Sequence, residues 1–394
     1  MNHIKHLFNF LLNRELDGLY LTVAIKSFVY AMIGIFIPLY LSDKGYNLQQ
    51  ILLFFIINFV VFLLLTLVTP RLINKIGLKK TLLISIPSFG LFFLLLNMLN
   101  GLLNWIFFIV PIFGGMSYAF FWIPFHSDFA ISSSKKSRAT QTGTAQIIMS
   151  LIACLGPVVG GFLIIKLGFH WLLIVSSVLM FLGIIPLLRT PEFRETKPGT
   201  IKDILKFVDF RNALGFFAYG VEWVVYAVVW PLFIILILKG YLLVGILTAI
   251  PLIITVFSIA ITSRLLDKKG TSKVMKIGSF LLSLNWILRV LITQVWQVFA
   301  ISVYYGLIDP LTKVGSDVLS YNRARKTKVV ESIAGREFAI NLGRLTMLSL
   351  LVIFPSFTFA FIVVAFTSLF YFIFSMKQNQ DVQKIFWLFH KKKK

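Results

Sequence analysis

Ionisable side chains inside long apolar stretches are the residues of this sequence best placed to do chemistry. Lys26, Glu222, Asp309 and Lys313 each lie near the middle of such a stretch. A charge at the centre of a bilayer costs roughly 2.5–3.5 kcal/mol on insertion scales, so these side chains must face protein or water. A carboxylate that alternates between dry and wet surroundings can carry a proton. The alternative interpretation is static pairing, of Asp309 with Lys313 and of Glu222 with Lys26.

Tyrosine and tryptophan residues share helix faces with these charges. Because residues three or four apart lie on one side of a helix, each group of polar and aromatic residues forms a stripe. Phenylalanine, with 41 residues, is the ordinary apolar aromatic here, which makes tyrosine and tryptophan informative. The stripes predict a central substrate cavity, with Glu222 and Asp309 as candidates for proton coupling. The predicted cavity residues are Lys26, Tyr30, Tyr118, Trp122, Tyr219, Tyr226, Tyr305 and Lys313.

Composition excludes a water-soluble fold. Of 394 residues, 58% are hydrophobic and 13% charged, and the mean hydropathy is +0.89. An average soluble domain is roughly 45–50% apolar and about 25% charged. The net charge of +23 would suggest a nucleic-acid binder in a soluble protein. The single cysteine, Cys154, excludes an internal disulfide.

Twelve stretches are long and apolar enough to cross a bilayer, which needs roughly 20 apolar residues per helix. No alternation typical of strands competes, and helices satisfy their own backbone groups in lipid. We therefore predict an all-α integral membrane protein with twelve transmembrane helices. The predicted spans, numbered 1 to 12, are 17–41, 48–69, 81–100, 103–127, 143–166, 171–188, 213–238, 243–262, 274–292, 295–319, 336–354 and 357–376.

Basic residues are concentrated in alternate loops. Outside the spans, one side of the predicted topology carries nearly all lysines and arginines, whereas the other carries only Lys44, Lys166 and Lys239. Basic loops remain on the cytoplasmic side of a membrane. We therefore predict a multi-pass plasma-membrane protein with both termini in the cytoplasm. The positive charge then reflects topology, and no nucleic-acid partner is expected.

The second half of the sequence repeats the first at an offset near 193 residues. Each match is short, but three occur in the same order, which predicts a duplicated six-helix unit. The matching pairs are Arg71–Gly77 with Arg264–Gly270, Lys44–Tyr46 with Lys239–Tyr241, and Ser127–Asp128 with Ser316–Asp317.

This repeat divides the chain into two pseudo-symmetric six-helix bundles, predicted at 1–188 and 213–376. A cytoplasmic linker is predicted at 189–212 and a basic cytoplasmic tail at 377–394. The linker segment Ile201–Phe210 is amphipathic, and the tail ends in four lysines. Both are expected to contact membrane lipid.

The loop after span 2 resembles the signature of the major facilitator superfamily, Gly-x-x-x-Asp-Arg-x-Gly-Arg-Lys-Lys. The segment Pro70–Lys80 matches its later glycine and its two final lysines. It departs at Pro70, where the family has glycine, and at Asn74, where the family has aspartate. The second copy keeps this acid as Asp267.

The resemblance implies two six-helix halves related by a pseudo-two-fold axis along the membrane normal, with helices 1, 4, 7 and 10 lining the cavity. It also implies a cytoplasmic gate in which Asp128 pairs with Arg71 or Lys75, and Asp317 with Arg264 or Lys268. The predicted gate residues are Arg71, Lys75, Gly77, Asp128, Arg264, Asp267, Lys268, Gly270 and Asp317.

Glycines in span 5 resemble a motif of the family's antiporters. The run Gly156–Gly161 matches the end of that motif, and Gly143 matches its first glycine. Close helix packing is the alternative interpretation, because glycines let helices touch. Span 4 lacks the buried arginine that is typical of the family's proton-driven drug exporters, which counts against an exporter.

The sequence contains no phosphate-binding loop, no dinucleotide glycine pattern and no zinc or haem spacing. We therefore predict a protein that is not an enzyme and has no cofactor and no bound metal. A proton or sodium gradient should drive transport, and the chain should be a monomer, as is usual in the family. The predicted function is secondary active transport of a small organic molecule by alternating access, as proton-coupled efflux. Proton-coupled uptake of a charged or zwitterionic metabolite is one alternative. A non-transporting binding or regulatory protein, which Asn74 favours, is the other.

Overall fold

The structure is a computed structural model that describes residues 14–133, 138–188, 200–206, 208 and 210–375. Within these residues the chain is helical or irregular and contains no strand, which confirms the all-α prediction. The predicted tail and residues 189–199 of the predicted linker lie outside the described residues.

Eight helices form the first half of the chain. The short α2 follows α1 through a 3-10 turn at Gly34–Phe36. The helices are α1 Arg14–Ile33, α2 Ile37–Asp43, α3 Leu48–Ile76, α4 Leu78–Leu96, α5 Trp105–Ser132, α6 Arg138–Ala153, α7 Gly156–Leu182 and α8 Ile184–Leu187.

One short helix, α9 Ile201–Lys206, precedes the second half. A π-helical segment, Val225–Val229, joins α10 to α11, and a 3-10 turn, Arg289–Leu291, follows α13. The helices of the second half are α10 Phe210–Val224, α11 Trp230–Leu238, α12 Tyr241–Lys269, α13 Thr271–Leu288, α14 Val295–Ala324, α15 Val329–Ile353, α16 Phe357–Ser368 and α17 Phe370–Phe374.

Nine helical stretches in the described residues are long and apolar enough to cross a membrane. This supports the multi-pass prediction but not the count of twelve. Predicted spans 5 and 6 belong to one stretch, Arg138–Pro186, whose backbone leaves the helical conformation at Gly168, where φ is 82°. Predicted spans 10 and 11 fall within α14 and α15, and the charged residues of these two helices lower their hydropathy.

The repeat seen in the sequence has a structural counterpart at the same offset. Helices α3 and α12 each contain 29 residues and begin at Leu48 and Tyr241. Gly77 ends α3 with φ of 100°, and Gly270 ends α12 with φ of 83°. Such positive φ values strain any residue with a Cβ atom, so glycine fits the sharp turn at both places.

Helix packing follows the same repeat. Within the first half α3 and α4 pack on α5, and within the second half α12 and α13 pack on α14. Two seams join the halves, one between α3 and α15 and one where α12 packs against α6 and α7. The two seams are thus equivalent under the repeat, because α12 is the counterpart of α3 and the segment of α6 and α7 takes the place of α15.

The linker helix α9 docks on the second half. Its Ile204 is buried with Val330 and Ile333 at the start of α15, and Asp203 accepts a hydrogen bond from Lys328 Nζ at 3.0 Å. The backbone N–H of Thr200, and then Lys328, lower the pKa of Asp203 to about 2. The amphipathic segment predicted to reach Phe210 therefore ends earlier and packs against protein.

Candidate functional site

Two adjoining cavities lie between the halves. The lysine cavity, of about 200 Å³, is lined by Lys26 and by residues of α5, α10, α14 and α15. The carboxylate cavity, of about 310 Å³, is lined by Glu222, Asp309 and Lys313. Tyr219 of α10 lines both cavities. The other residues that line both are Gln146, Met149, Trp223 and Asp317.

Lys26 lies in an aromatic cage in the first half. Its side chain is 4% exposed, and its Nζ lies 3.6 Å from the centre of the Phe121 ring and 3.9 Å from that of Trp122. Among the described residues it makes no hydrogen bond or ion pair. The alternative interpretation that pairs Lys26 with Glu222 is therefore wrong, because Lys313 is the cation that pairs with Glu222, at 2.6 Å. Ring faces attract an ammonium but leave its charge uncancelled.

Arg344 enters the lysine cavity from the second half. It is 5% exposed, and its Cζ lies 4.7 Å from the centre of the Trp223 ring. Its Nη1 donates a hydrogen bond to Asn341 Oδ1 at 3.1 Å, while its Nε has no hydrogen-bond partner among the described residues. Among the described residues Arg344 makes no ion pair, because the nearby Glu337 lies beside Arg336, with 3.8 Å between Oε1 and Nε.

Tyrosine hydroxyls connect the helices of the first half within this cavity. Tyr118 on α5 donates a hydrogen bond to Tyr30 on α1 at 2.6 Å. The Tyr118 ring packs edge-on against Trp223 of α10, with 6.3 Å between ring centres. The predicted cavity residues Tyr30, Tyr118, Trp122 and Tyr219 therefore line one chamber with Lys26.

The carboxylate cavity contains a complete ion pair. Lys313 Nζ donates to Glu222 Oε2 at 2.6 Å, and Tyr305 Oη donates to Glu222 Oε1 at 3.2 Å. Lys313 also lies 3.8 Å from the centre of the Tyr219 ring. Asp309 Oδ1 has no hydrogen-bond partner in the described part of the chain. The predicted pair of Asp309 with Lys313 is thus wrong, because the lysine reaches across to α10 instead.

The π-helical segment follows Glu222 closely and contains Tyr226. This ring stacks on Tyr305 of α14, with 4.9 Å between ring centres. Both tyrosines line the carboxylate cavity, as do Glu222, Asp309 and Lys313. A single π-helical turn inside an α-helix frequently occurs at a functional site, since it changes the direction of the following side chains.

Arg289 is a buried cation that the site prediction omitted. It is 1% exposed, and its Cζ lies 3.8 Å from the Trp286 ring centre and 4.1 Å from that of Trp230. Its Nε donates to Asn285 Oδ1 at 3.3 Å. It lines neither cavity. The sequence did contain an indication of this buried cation, because Arg289 lies within predicted span 9, three residues after Trp286.

The face with the basic loops is held by contacts that differ from the predicted gate pairs. Asp317 accepts a hydrogen bond from Arg336 Nη2 at 2.6 Å and one from Gln146 Nε2 at 2.8 Å. Asp267 accepts a hydrogen bond from Thr140 of the first half at 2.8 Å. The predicted pairs of Asp317 with Arg264 or Lys268 are wrong, because those two side chains are exposed whereas Arg336 lies beside the acid.

In the first half the predicted gate pair is also missing. Among the described residues Asp128 makes no ion pair, and Arg71 and Lys75 are exposed. Instead, His126 Nδ1 and Tyr321 Oη form a buried hydrogen bond of 2.7 Å between α5 and α14, which joins the two halves. Arg336 and Tyr321 were missed because the sequence places both near predicted loops.

The described residues contain no group of three or more histidine, cysteine, aspartate or glutamate side chains that could hold a metal ion. The cations of the two cavities, by contrast, can bind or neutralise an anion, and the carboxylates can exchange a proton. An arrangement of this kind can hold a charged small molecule beside an ion pair.

Comparison with known proteins agrees with this architecture. The family model for the Major Facilitator Superfamily matches residues 19–212. A solved structure with similar fold is that of the human organic anion transporter MFSD10 (TETRAN). Its TM-score is 0.65 at 13% sequence identity, over 92% of this chain and 99% of that one. No curated protein matches the chain by sequence.

Proposed function

Since this chain belongs to the major facilitator superfamily of transporters, we propose that it moves a small organic molecule by alternating access and couples this movement to protons. Glu222 and Asp309 are the proposed coupling residues. The lysine cavity is the proposed substrate site, and the contacts of Asp267, Asp317 and Tyr321 are the proposed gate at the face with the basic loops.

The observation that carries the proposal is that Glu222 and Asp309 line the carboxylate cavity with only one lysine in the described part of the chain. Lys313 pairs with Glu222 at 2.6 Å, whereas among the described residues Asp309 has no cation within 4 Å. One ammonium neutralises one carboxylate, so a proton is needed to neutralise the other. A change in access to water would shift the proton between them, which is how a buried carboxyl pair links protonation to conformation.

The human neighbour is described as an organic anion transporter. At 13% identity that likeness concerns the fold, so the substrate charge has to be argued from this chain's own cavity. The span 5 glycines, which resemble an antiporter motif, are occupied in packing. A Cβ atom at Gly160 would lie 2.0 Å from Met32 O, and one at Gly161 would lie 2.8 Å from Tyr241 O.

Efflux remains the proposed direction and uptake the alternative. Transport measured in everted and in right-side-out membrane vesicles, each with an imposed pH gradient, distinguishes efflux from uptake. Efflux in exchange for protons predicts accumulation in everted vesicles with an acid interior. Uptake with protons predicts accumulation in right-side-out vesicles with an acid exterior. Sodium gradients at constant pH test the other coupling ion, and vesicles without the protein are the control.

Alternating access and proton coupling can be tested without a known substrate. In a Cys154→Ser background, spin labels at Lys80 and Lys273 report the distance between the halves at the face with the basic loops. Labels at Leu102 and Leu291 report the distance at the opposite face. All four positions are exposed. Labels at Lys80 and Leu102, both in the first half, are the control pair.

We expect the two inter-half distances to change in opposite directions between about pH 5 and pH 8, while the control distance stays constant. Glu222→Gln or Asp309→Asn, which imitate a protonated carboxyl, should hold the protein in its low-pH distribution. Distances that do not depend on pH in the wild type would overturn proton coupling. Distances that change at only one face would overturn alternating access.

A further inference from the structure

We propose that the lysine cavity binds an organic anion with a single aromatic ring, whose charged group is held between Lys26 of the first half and Arg344 of the second. This inference rests on the proposed function, because it names the substrate class of the same transporter. It goes further by assigning the charge of the substrate and the two side chains that select it.

Charge balance in the cavity supports an anion. Three cations line it, Lys26, Arg336 and Arg344, but only two carboxylates, Asp317 and Glu337. Both carboxylates lie against Arg336, at 2.6 Å and 3.8 Å. The other two cations therefore face the cavity without a carboxylate within ion-pair distance among the described residues. An anionic ligand would supply the missing negative charge.

Burial makes this imbalance costly in the empty protein. Lys26 and Arg344 are 4% and 5% exposed, and desolvating an unpaired charge is unfavourable unless hydrogen bonds or a counter-ion compensate. Ring faces compensate in part, and Asn341 accepts one of the Arg344 hydrogen bonds. Lys26 and the Arg344 guanidinium both line the cavity, and Arg344 Nε has no hydrogen-bond partner among the described residues. A carboxylate or sulfonate group could bind to these two cations, since arginine binds planar and tetrahedral oxyanions well.

The walls of the cavity fit a flat ring. Trp122, Trp223, Tyr30 and Tyr118 line it, and indole and phenol faces pack well on aromatic ligands. The volume of about 200 Å³ lies below the roughly 300–1,000 Å³ typical of drug-sized ligands, which favours a single ring over a fused system.

Placing the two cations on different halves would make the anion a link between them. With no ligand, Lys26 and Arg344 repel one another. With an anion between them, the repulsion becomes attraction, so binding favours the arrangement in which both halves approach the ligand. A ligand can shift such an equilibrium only by its difference in affinity for the two states.

The test uses three ring compounds of similar shape and different charge. Benzenesulfonate is a permanent anion, benzenesulfonamide is its neutral isostere, and benzyltrimethylammonium is a permanent cation. Binding to the purified full-length protein in detergent is measured by calorimetry and by quenching of tryptophan fluorescence, since Trp122 and Trp223 line the cavity.

We expect wild-type protein to bind the sulfonate at least about tenfold more tightly than the sulfonamide, because charged hydrogen bonds discriminate by roughly that factor or more. Lys26→Met and Arg344→Met should each weaken sulfonate binding by about 10–100-fold. Arg289→Met is the matched control. It removes another buried arginine stacked on tryptophan, but one that lines neither cavity, so the sulfonate affinity should not change.

Equal affinity for all three compounds, a preference for the cation, or an equal loss in Arg289→Met would overturn the proposal. So would the absence of sulfonate binding at millimolar concentration. If binding fails while the pH-dependent distances persist, the anion site is wrong and the proposed function stands. If the distances are independent of pH while Lys26 and Arg344 are needed for binding, proton coupling is wrong and the anion site stands. Should Lys26→Met fail to fold, Lys26→Arg, which keeps the charge, should retain sulfonate selectivity.

Discussion

The two lysines that line the central cavities, Lys26 and Lys313, differ in how their charge is neutralised. Lys313 in the second half has Glu222 at 2.6 Å, whereas Lys26 in the first half has the rings of Phe121 and Trp122 at 3.6 and 3.9 Å. The charge of Lys313 is thus balanced by Glu222, and Asp309 is a second carboxylate in the same cavity that a proton can neutralise. The Lys26 ammonium lies against aromatic rings, and in the described part of the chain no carboxylate balances its positive charge, which can therefore attract an anionic ligand. On the proposed function, Lys313 would belong to the coupling network, whereas Lys26 would recognise the charge of the substrate together with Arg344 of the second half.

The largest expected effect is on stability. Glu222→Ala should lower the free energy of unfolding by about 3–5 kcal/mol, because it leaves the largely buried Lys313 ammonium without the carboxylate that pairs with it. Lys26→Met should change it by no more than about 1 kcal/mol, since the lost ring contacts are offset by removal of a desolvated charge. Denaturant unfolding of the purified protein measures both.

The control for this comparison is Glu222→Gln with Lys313→Met, which removes both charges and should restore most of the stability lost in Glu222→Ala. A loss in Lys26→Met as large as that in Glu222→Ala would mean that Lys26 has a counter-ion after all. The two lysines would then not differ in whether a carboxylate neutralises them.

The next effect is on selectivity. Lys26→Glu should weaken benzenesulfonate binding by about 100-fold and raise the affinity for benzyltrimethylammonium, because the cage then attracts a cation. Lys313→Arg keeps the charge of the other cavity and should leave the order of affinities unchanged. Calorimetry with both ligands measures this. If Lys26→Glu still preferred benzenesulfonate to the same degree, Lys26 would not be the residue that selects the charge of the ligand.

A smaller effect concerns contact between the halves that does not involve a ligand. Tyr321→Phe removes the hydroxyl that bonds His126 across the halves, worth about 1 kcal/mol, so the population separated at the face with the basic loops should rise roughly fivefold. The Lys80–Lys273 label distance measures it. Tyr304→Phe is the control, because Tyr304 donates to Leu281 O within the second half. An equal shift in both variants would remove the gate role.

The smallest effect is at the linker, where pH should matter least. Asp203 has its pKa lowered to about 2, first by the Thr200 N–H and then by Lys328. A carboxylate whose folded pKa lies below the unfolded value of about 3.9 stabilises docking above that value, and the contribution is lost as pH falls through about 2. Hydrogen exchange of α9 amides should therefore be insensitive to carboxyl titration between about pH 5 and pH 8 once the intrinsic rate is corrected.

A pH-dependent opening of α9 in that range would contradict this assignment. Asp203→Asn is the matched variant. It should raise exchange in α9 at neutral pH while leaving the pH dependence of the two inter-half distances in place.

Sequence patterns predicted the helices and grouped on common helix faces residues that line the two cavities, because both depend on local spacing. The spacing of Tyr305, Asp309 and Lys313 placed them on one helix face, and they line one cavity. The pairings could not be predicted this way. Lys313 bonds Glu222 on α10 rather than Asp309 on its own helix, since the relative depth and rotation of two helices decide which carboxylate is nearest.

The same limit explains Arg336 and the count of spans. The charge pattern assigns Arg336 to a basic loop, but it lies inside α15 beside Asp317. The charges that make α14 and α15 functional candidates also lower their hydropathy, so composition alone recognises these two helices poorly. The charged residues that line a cavity thus also lower the hydropathy by which a membrane-spanning helix is recognised.

The seam between α12 and the helices α6 and α7 is built from backbone and small residues. A Cβ atom at Gly143 would lie 1.9 Å from Ser263 Oγ, and one at Gly245 would lie 2.2 Å from Pro157 O. Helices in such direct contact have few long side chains between them. When they rotate against each other, few side chains along the seam therefore need to change rotamer. Relative motion of the two halves along this seam would then meet little resistance. The turnover rate would depend instead on breaking the contacts between the halves at the two ends of the seam.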